Sequence, residues 1–135
     1  MTRHLLVPMD DSDPARAALR HALTTFPGAE VTVVHAVDDL EAGYGGDPGM
    51  GDVSSSSDPE FFDDVRAAAA EHDASVEPTV LRGTAATAIL EYADEADVDQ
   101  IVIGSDGRAG VSRVLLGSVA EAVTRRSSVP VTIVP

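Results

Sequence analysis

Five short apolar runs, each separated from the next by a stretch that includes helical periodicity, constrain this chain more than any other feature. The runs lie at 5–7 (Leu5-Leu6-Val7, closed by Pro8), 31–37, 76–81, 99–103 and 129–134. After the first run, Ala15, Ala18, Leu19, Ala22, Leu23 and Phe26 recur at helical spacing. Ser12 or Asp13 is the N-cap, Pro14 fits the first turn, and Pro27-Gly28 stops the helix. A second helix starts at Asp58-Pro59-Glu60 and is carried by Phe61 or Phe62, Val65, Ala68 and Ala69. Gly83 marks a turn, and Thr84 caps a third helix through Ala86, Ile89, Leu90 and Ala93. The pattern predicts a fourth helix over 115–126, where Arg125 and Arg126 suit the negative C-terminal end of the helix dipole. Residues 38–57 are rich in Gly, Asp and Ser, have no period, and read as one long flexible loop.

The resulting order, β-α-β-α-β-α-β-α-β, needs parallel crossovers. It predicts an α/β fold, an open five-stranded parallel sheet in three layers with helices on both faces. The nearly unbroken apolar run 31–37 fits a strand covered on both sides. The length of 135 residues suits one domain, 1–135, with a single sizeable core. Aromatics make up only 4% and Trp is absent, so that core must be built of Val, Ile, Leu and Ala. Sheets of this kind bind ligands beyond the carboxyl ends of their strands, where the strand order reverses. Pro8-Met9-Asp10 closes the first strand and Gly104 closes the fourth. If those strands are neighbours, both ends border one crevice.

The fourth run, Ile101-Val102-Ile103, leads into Gly104-Ser105-Asp106-Gly107, then nine residues, then Gly117-Ser118 at the start of the last helical pattern. Glycines let backbone approach a charged group, and a helix N-terminus presents free N–H groups and partial positive charge to an anion. The combination reads as a phosphate cradle. Packing alone is the competing explanation, since Gly117 would also let a helix approach the sheet. Four coinciding elements favour the cradle. Arg108 and Arg113, inside the nine-residue loop, either neutralise phosphate or sit in solvent and surface ion pairs. Asp11 suits the start of the first helix. His4, His21, His35 and His72 lack metal-ligand spacing, and His35, inside an apolar run, reads as a hydrogen-bonded core residue. The serines at 54–57 read as loop.

Asp and Glu number 23 against 9 basic residues, for a formal net charge of −14, and every basic residue is Arg. Such a field repels nucleic acid and anionic membranes, which are discounted as partners. It also opposes ATP at long range, an objection salt removes because the Debye length is about 3 Å at 1 M. The acidic, lysine-free composition is similar to that of proteins from salt-loving organisms. There is no Cys, hence no disulfide or thiolate chemistry. No apolar run approaches the roughly 20 residues of a membrane span, and the opening residues lack a signal-peptide pattern, so a cytoplasmic location is expected.

Over essentially its whole length the chain resembles the universal stress protein family. The nucleotide-binding members carry Gly, two residues, Gly, nine residues, Gly, then Ser or Thr, matched here by Gly104, Gly107, Gly117 and Ser118. The surrounding IVIGSDGRAGVSRVLLGSVAEAV and the closing PVTIVP are similar to the family as well. The resemblance implies strand order 3-2-1-4-5 and a homodimer paired through strand 129–134. It implies ATP bound between the ends of strands one and four. Pro8, Met9 and Asp10 would line the adenosine side, with Asp10 reaching the ribose. Ala36 would meet the adenine through its backbone. Ile103, Gly104, Gly107, Arg108, Gly117 and Ser118, with the N–H of Val119, would surround ribose and phosphates. Mg²⁺ or Mn²⁺, if bound, would be held mainly through the phosphates, with no metal ligand from the protein. Asp106 stands where the family often carries His or Arg.

Other readings are weaker. A receiver domain needs an Asp closing strand three and a Lys closing strand five. Strand three closes on Leu81-Arg82-Gly83, and the chain has no Lys. A Walker-type site is absent. Hydrolysis needs a base or water-positioning group beside the γ-phosphate. Asp106 and Ser118 do not make an arranged pair, so ATPase activity is expected to be slow or absent. The sequence therefore predicts an ATP-binding stress-response sensor or adaptor, with no catalytic residues. The alternatives are a slow ATPase and a dimeric scaffold whose nucleotide site stays empty.

Overall fold

A computed structural model of the chain describes residues 3–37, 59–74, 76–105 and 117–135. Its elements, in chain order, are β1 (His4–Pro8), α1 (Asp13–Thr25), β2 (Glu30–Val37), α2 (Phe61–Glu71), β3 (Thr79–Arg82), α3 (Ala85–Glu95), β4 (Gln100–Gly104), α4 (Ser118–Arg126) and β5 (Val131–Val134). The strands form one sheet in the order β3-β2-β1-β4-β5, every pair parallel. This is the predicted α/β architecture.

Alternation along the strands sorts the core into two halves. Leu5, Val7, Val31, Val33 and Val102 face one side and pack with α1 and α2. Leu6, Val34, Ile101 and Ile103 face the other and pack with α3 and α4. Successive strand side chains point to opposite faces, so a strand buried on both must be apolar at every position. Residues 5–7 and 101–103 obey that rule, and no side chain among them is more than 5% exposed.

Ser12 is the cap of α1, in extended conformation, with its Oγ accepting from the Ala15 N–H at 3.3 Å. Thr84 occupies the N-cap position of α3, but its side chain makes no capping bond. Two strand predictions need correction, and proline explains both. The run at 76–81 yields a strand only from Thr79, because Pro78 has no N–H to donate to a ladder. The expected strand 129–134 begins at Val131. Pro130 accepts from the Ile101 N–H at 2.9 Å but has none to give, and Val129 folds back onto the Ser127 hydroxyl. The predicted loop at 38–57 and residues 115 and 116 of the predicted helix at 115–126 lie outside the described residues; Gly117 is the extended N-cap, so α4 begins at Ser118 and the predicted start at 115 is corrected.

Candidate nucleotide site at the strand carboxyl ends

The chain leaves β1 towards β2 on one side of it, while β4 pairs on the other. At that reversal a cleft of about 360 Å³ opens, within the ~300–1,000 Å³ range of small-molecule sites. Its walls come from separate elements. β1 and the turn after it supply Pro8, Met9, Asp10 and Ser12; β2 supplies His35 and Ala36. β4 and its exit supply Ile103, Gly104 and Ser105. The start of α4 supplies Gly117, Ser118, Val119 and Ala120, and α3 closes a side with Ala85 and Ile89.

Nine of the eleven residues singled out in the sequence therefore border one cavity: Pro8, Met9, Asp10, Ala36, Ile103, Gly104, Gly117, Ser118 and Val119. Gly107 and Arg108 lie outside the described residues, as do Asp106 and Arg113. The sequence reading omitted Ser12, Ala15, His35, Ala85, Ile89, Ser105 and Ala120, which also line the cleft. Ala15, Ala85, Ile89 and Ala120 are small or apolar residues at core spacing, and nothing in the sequence separates a cleft-lining Ala from a buried one. Ser12 is findable, because a capping serine two residues after a strand-end aspartate shares that aspartate's surroundings.

Met9 is pinned to β2 at both ends of its backbone. Its N–H donates to Val34 O at 2.8 Å, and its carbonyl accepts from His35 Nδ1 at 2.8 Å. The imidazole meets Phe61 and Phe62 edge-on, with centroids 5.2 and 6.5 Å away. His35 is thus hydrogen-bonded as expected, but it is half-buried at the edge of the cleft rather than a core residue. Asp10 is half-buried and its Oδ1 accepts from the Ser12 hydroxyl at 2.5 Å, which fixes the carboxylate at the rim. Asp11 points into solvent as an ion-pair partner of Arg16, which also reaches Asp64 on α2 at 3.0 Å.

The glycines divide by job. A Cβ on Gly104 would stand 2.6 Å from Pro14 C and 2.8 Å from Ala15 N and Pro14 O. Its missing side chain is therefore required by the first turn of α1, whatever else enters the cleft. The Gly117 N–H donates to Ser105 O at 2.7 Å, so this amide is committed internally. The available donors are those that follow. Ser118, Val119 and Ala120 open α4, where first-turn N–H groups lack intrahelical acceptors. Gly117 as N-cap offers no side chain to satisfy them, and they have no backbone acceptor among the described residues. All three border the cleft.

Among the described lining residues the charged side chain is the carboxylate of Asp10, and none is Arg. No group of three His, Asp or Glu poised for a metal occurs among the described residues. Nor, among them, is any helix long and apolar enough to cross a membrane. An anion in this cleft would thus meet main-chain amides and the positive end of a helix dipole.

The family model of the universal stress proteins matches residues 1–135. The chain belongs to the universal stress protein family. Among curated relatives, the universal stress protein MJ0531 of Methanocaldococcus jannaschii is 31% identical over 140 residues, covering 98% of this chain and 81% of that protein. The solved structure of MJ0577 superposes with a TM-score of 0.80 at 27% identity, covering 99% of this chain and 96% of that one. A universal stress protein from Archaeoglobus fulgidus, solved in complex with dAMP, superposes with a TM-score of 0.69 at 26% identity, covering 100% and 98%. The sheet order and helical layers of this universal stress protein are those of its family, and at least one relative binds an adenine nucleotide.

Proposed function

We propose that this universal stress protein binds ATP in the cleft between β1 and β4 and acts as a stress-response sensor or adaptor rather than a catalyst. The observation that carries the reading is the set of unmatched first-turn amides of α4, which line the same cavity of ligand size as Ala36. The residues present fit a nucleotide. Ala36 and Met9 offer a base wall, Asp10 offers a carboxylate to ribose hydroxyls, and the amides of Ser118, Val119 and Ala120 offer donors to phosphate. Mg²⁺ or Mn²⁺ would be carried on the phosphates. The described lining offers Asp10, His35 and the hydroxyls of Ser12, Ser105 and Ser118. Asp10 is bonded to Ser12 and His35 Nδ1 to the Met9 carbonyl, and among the described residues no hydrogen bond joins any of these serines to His35 as a nucleophile–base pair. Turnover with Mg²⁺ well below about 1 s⁻¹ is the expectation.

A second reading, an empty-site scaffold, draws support from Gly104 and Gly117, whose roles in packing and in the Ser105 bond need no ligand. The two readings part on one substitution. Ser118 is the first residue of α4 and follows Gly117 at φ −64°, ψ 158°. Proline is favoured at that helix position, and an extended residue is what proline requires before it. Ser118→Pro therefore removes one candidate phosphate donor while sparing the helix, and Ser118→Ala controls for the hydroxyl. Calorimetric titration with ATP should give at least about 10-fold weaker binding for the proline variant than for the alanine one. Equal affinities would refute the cradle; no binding by the wild-type protein would favour the scaffold.

Dimerisation through β5 belongs to the same proposal. β5 is an edge of the sheet, its four residues are all half-buried, and Val129, Val131 and Ile133 flank the second core half. Pairing with a second copy would remove an open edge. Light scattering that returns a monomer mass at micromolar concentration in high salt would refute it.

A further inference from the structure

The β1–β2 ladder stops one rung early. In a parallel pair, a residue's N–H and C=O both point to the same neighbouring strand, and bond the residues before and after its partner. Pro8 is aligned with Val34, so the next partner of Met9 is His35. The Met9 N–H duly donates to Val34 O. The following rung would run from the Ala36 N–H to the Met9 carbonyl, but that carbonyl accepts instead from His35 Nδ1 at 2.8 Å. On the far side of β2 the alternate residues pair with β3, as the Gly83 N–H to Val37 O bond of 3.0 Å illustrates. Both main-chain groups of Ala36 thus face the β1 side, where neither has a partner among the described residues, and Ala36 borders the cleft.

The geometry points to His35 as a positioning residue that takes the Met9 carbonyl in place of Ala36 and so leaves the Ala36 N–H and C=O as a donor–acceptor pair facing the cleft. Buried backbone groups are nearly always paired, and a strand end that gives up a rung needs a substitute for the partner it abandons. The imidazole is that substitute. Its Nδ1 must carry the proton to donate to a carbonyl, and its edge-on packing against Phe61 and Phe62 fixes the ring plane. The freed pair, one donor beside one acceptor, complements a heterocycle edge bearing a ring nitrogen beside an exocyclic amine. The inference rests on the nucleotide reading and adds what makes the base wall selective. A 6-aminopurine matches the pair, whereas a 6-oxopurine held in the same orientation presents the reverse pattern and must turn over or shift to meet both protein groups.

The test has an arm without ligand and an arm with it. In ligand-free wild-type protein, amide exchange followed by NMR should be at least about 10-fold faster at Ala36 than at Val34, which holds a ladder rung. In His35→Leu the Met9 carbonyl is released, and the Ala36 amide should slow towards the Val34 rate. In His35→Asn the side-chain amide nitrogen stands where Nδ1 stood, and Ala36 should stay fast. Titrations with AMP and inosine monophosphate should favour AMP by about 10-fold or more in wild type and His35→Asn, and by much less in His35→Leu. An Ala36 amide as protected as Val34 in wild type, or an unchanged preference in His35→Leu, would overturn the role of His35. If His35→Leu does not fold, the wild-type exchange rates and the His35→Asn preference still decide. Wild-type protein that binds neither nucleotide overturns the nucleotide reading instead, and the exchange arm alone then judges His35.

Discussion

Gly104→Ala gives the sharpest separation between packing and binding in this fold. The added methyl would stand 2.6 Å from Pro14 C and 2.8 Å from Ala15 N and Pro14 O. Favourable carbon separations begin at about 3.5 Å, so the first turn of α1 must retreat by roughly 0.9 Å. The obstructing atoms are main chain, and no side-chain rotation can relieve them. Ala15 and Ala18, 4% and 0% exposed, leave no slack behind that turn. Overpacking of this kind costs about 1–3 kcal/mol, and the lower chain entropy of alanine in the unfolded state returns about 0.4–1 kcal/mol. With a main-chain clash the upper part of the range applies, and the net loss is about 2 kcal/mol. An unfolding entropy of about 2.1 cal/mol/K per residue over 135 residues converts this to a fall in Tm of about 7 °C. Thermal unfolding followed by circular dichroism, without nucleotide and at fixed high salt, measures it. A Tm within about 2 °C of wild type would mean that α1 yields freely, and that Gly104 is kept for a ligand alone.

Other perturbations test separate links. Ser12→Ala removes both the cap of α1 and the donor to Asp10, and should cost about 0.5–2 kcal/mol in denaturant unfolding; no change would show that the 3.3 Å cap bond contributes nothing. Phe62, fully buried between α2 and the sheet, should cost about 3–5 kcal/mol on truncation to Ala, and a loss below about 1 kcal/mol would mean that α2 is not held by this core. Raising salt from about 0.1 to 1 M shortens the Debye length from about 10 to 3 Å and should raise Tm in a chain of net charge −14; a flat or falling Tm would show that self-repulsion is not what limits stability.

The fold was legible because its signals are redundant. Four of the five strands meet a Pro or Gly at one end (Pro8, Gly83, Gly104 and Pro130), and Ser12 and Gly117 occupy the N-caps of α1 and α4. Pro8, Pro14 and Ser12 together leave one way to enter α1 after β1. Prediction slipped where one residue type has two effects. Val76 and Val129 carry strand propensity, and both are nearly or partly buried, yet Pro78 and Pro130 deny the ladder its donors. Burial rewarded the hydrophobic pattern while hydrogen bonding refused the strand. Apolar content alone cannot arbitrate between these.

The site was legible in its location and less so in its parts. A glycine states only that something comes close, and the sequence cannot say what. At Gly104 the close neighbour is α1, and at Gly117 the amide nitrogen is turned to Ser105 rather than to the cavity. The donors left for an anion sit one residue further on, in side-chain-bearing Ser118, Val119 and Ala120, because helical geometry rather than glycine exposes them. The base wall tells the same story. In the proposed site Ala36 would contribute through its main chain, which no residue identity announces; what the structure shows is that the Met9 carbonyl is taken by the side chain of its neighbour His35. A binding surface made of backbone is encoded in what surrounds it. The informative residues are then those that consume the competing hydrogen bonds, and a search restricted to candidate contact residues passes over them.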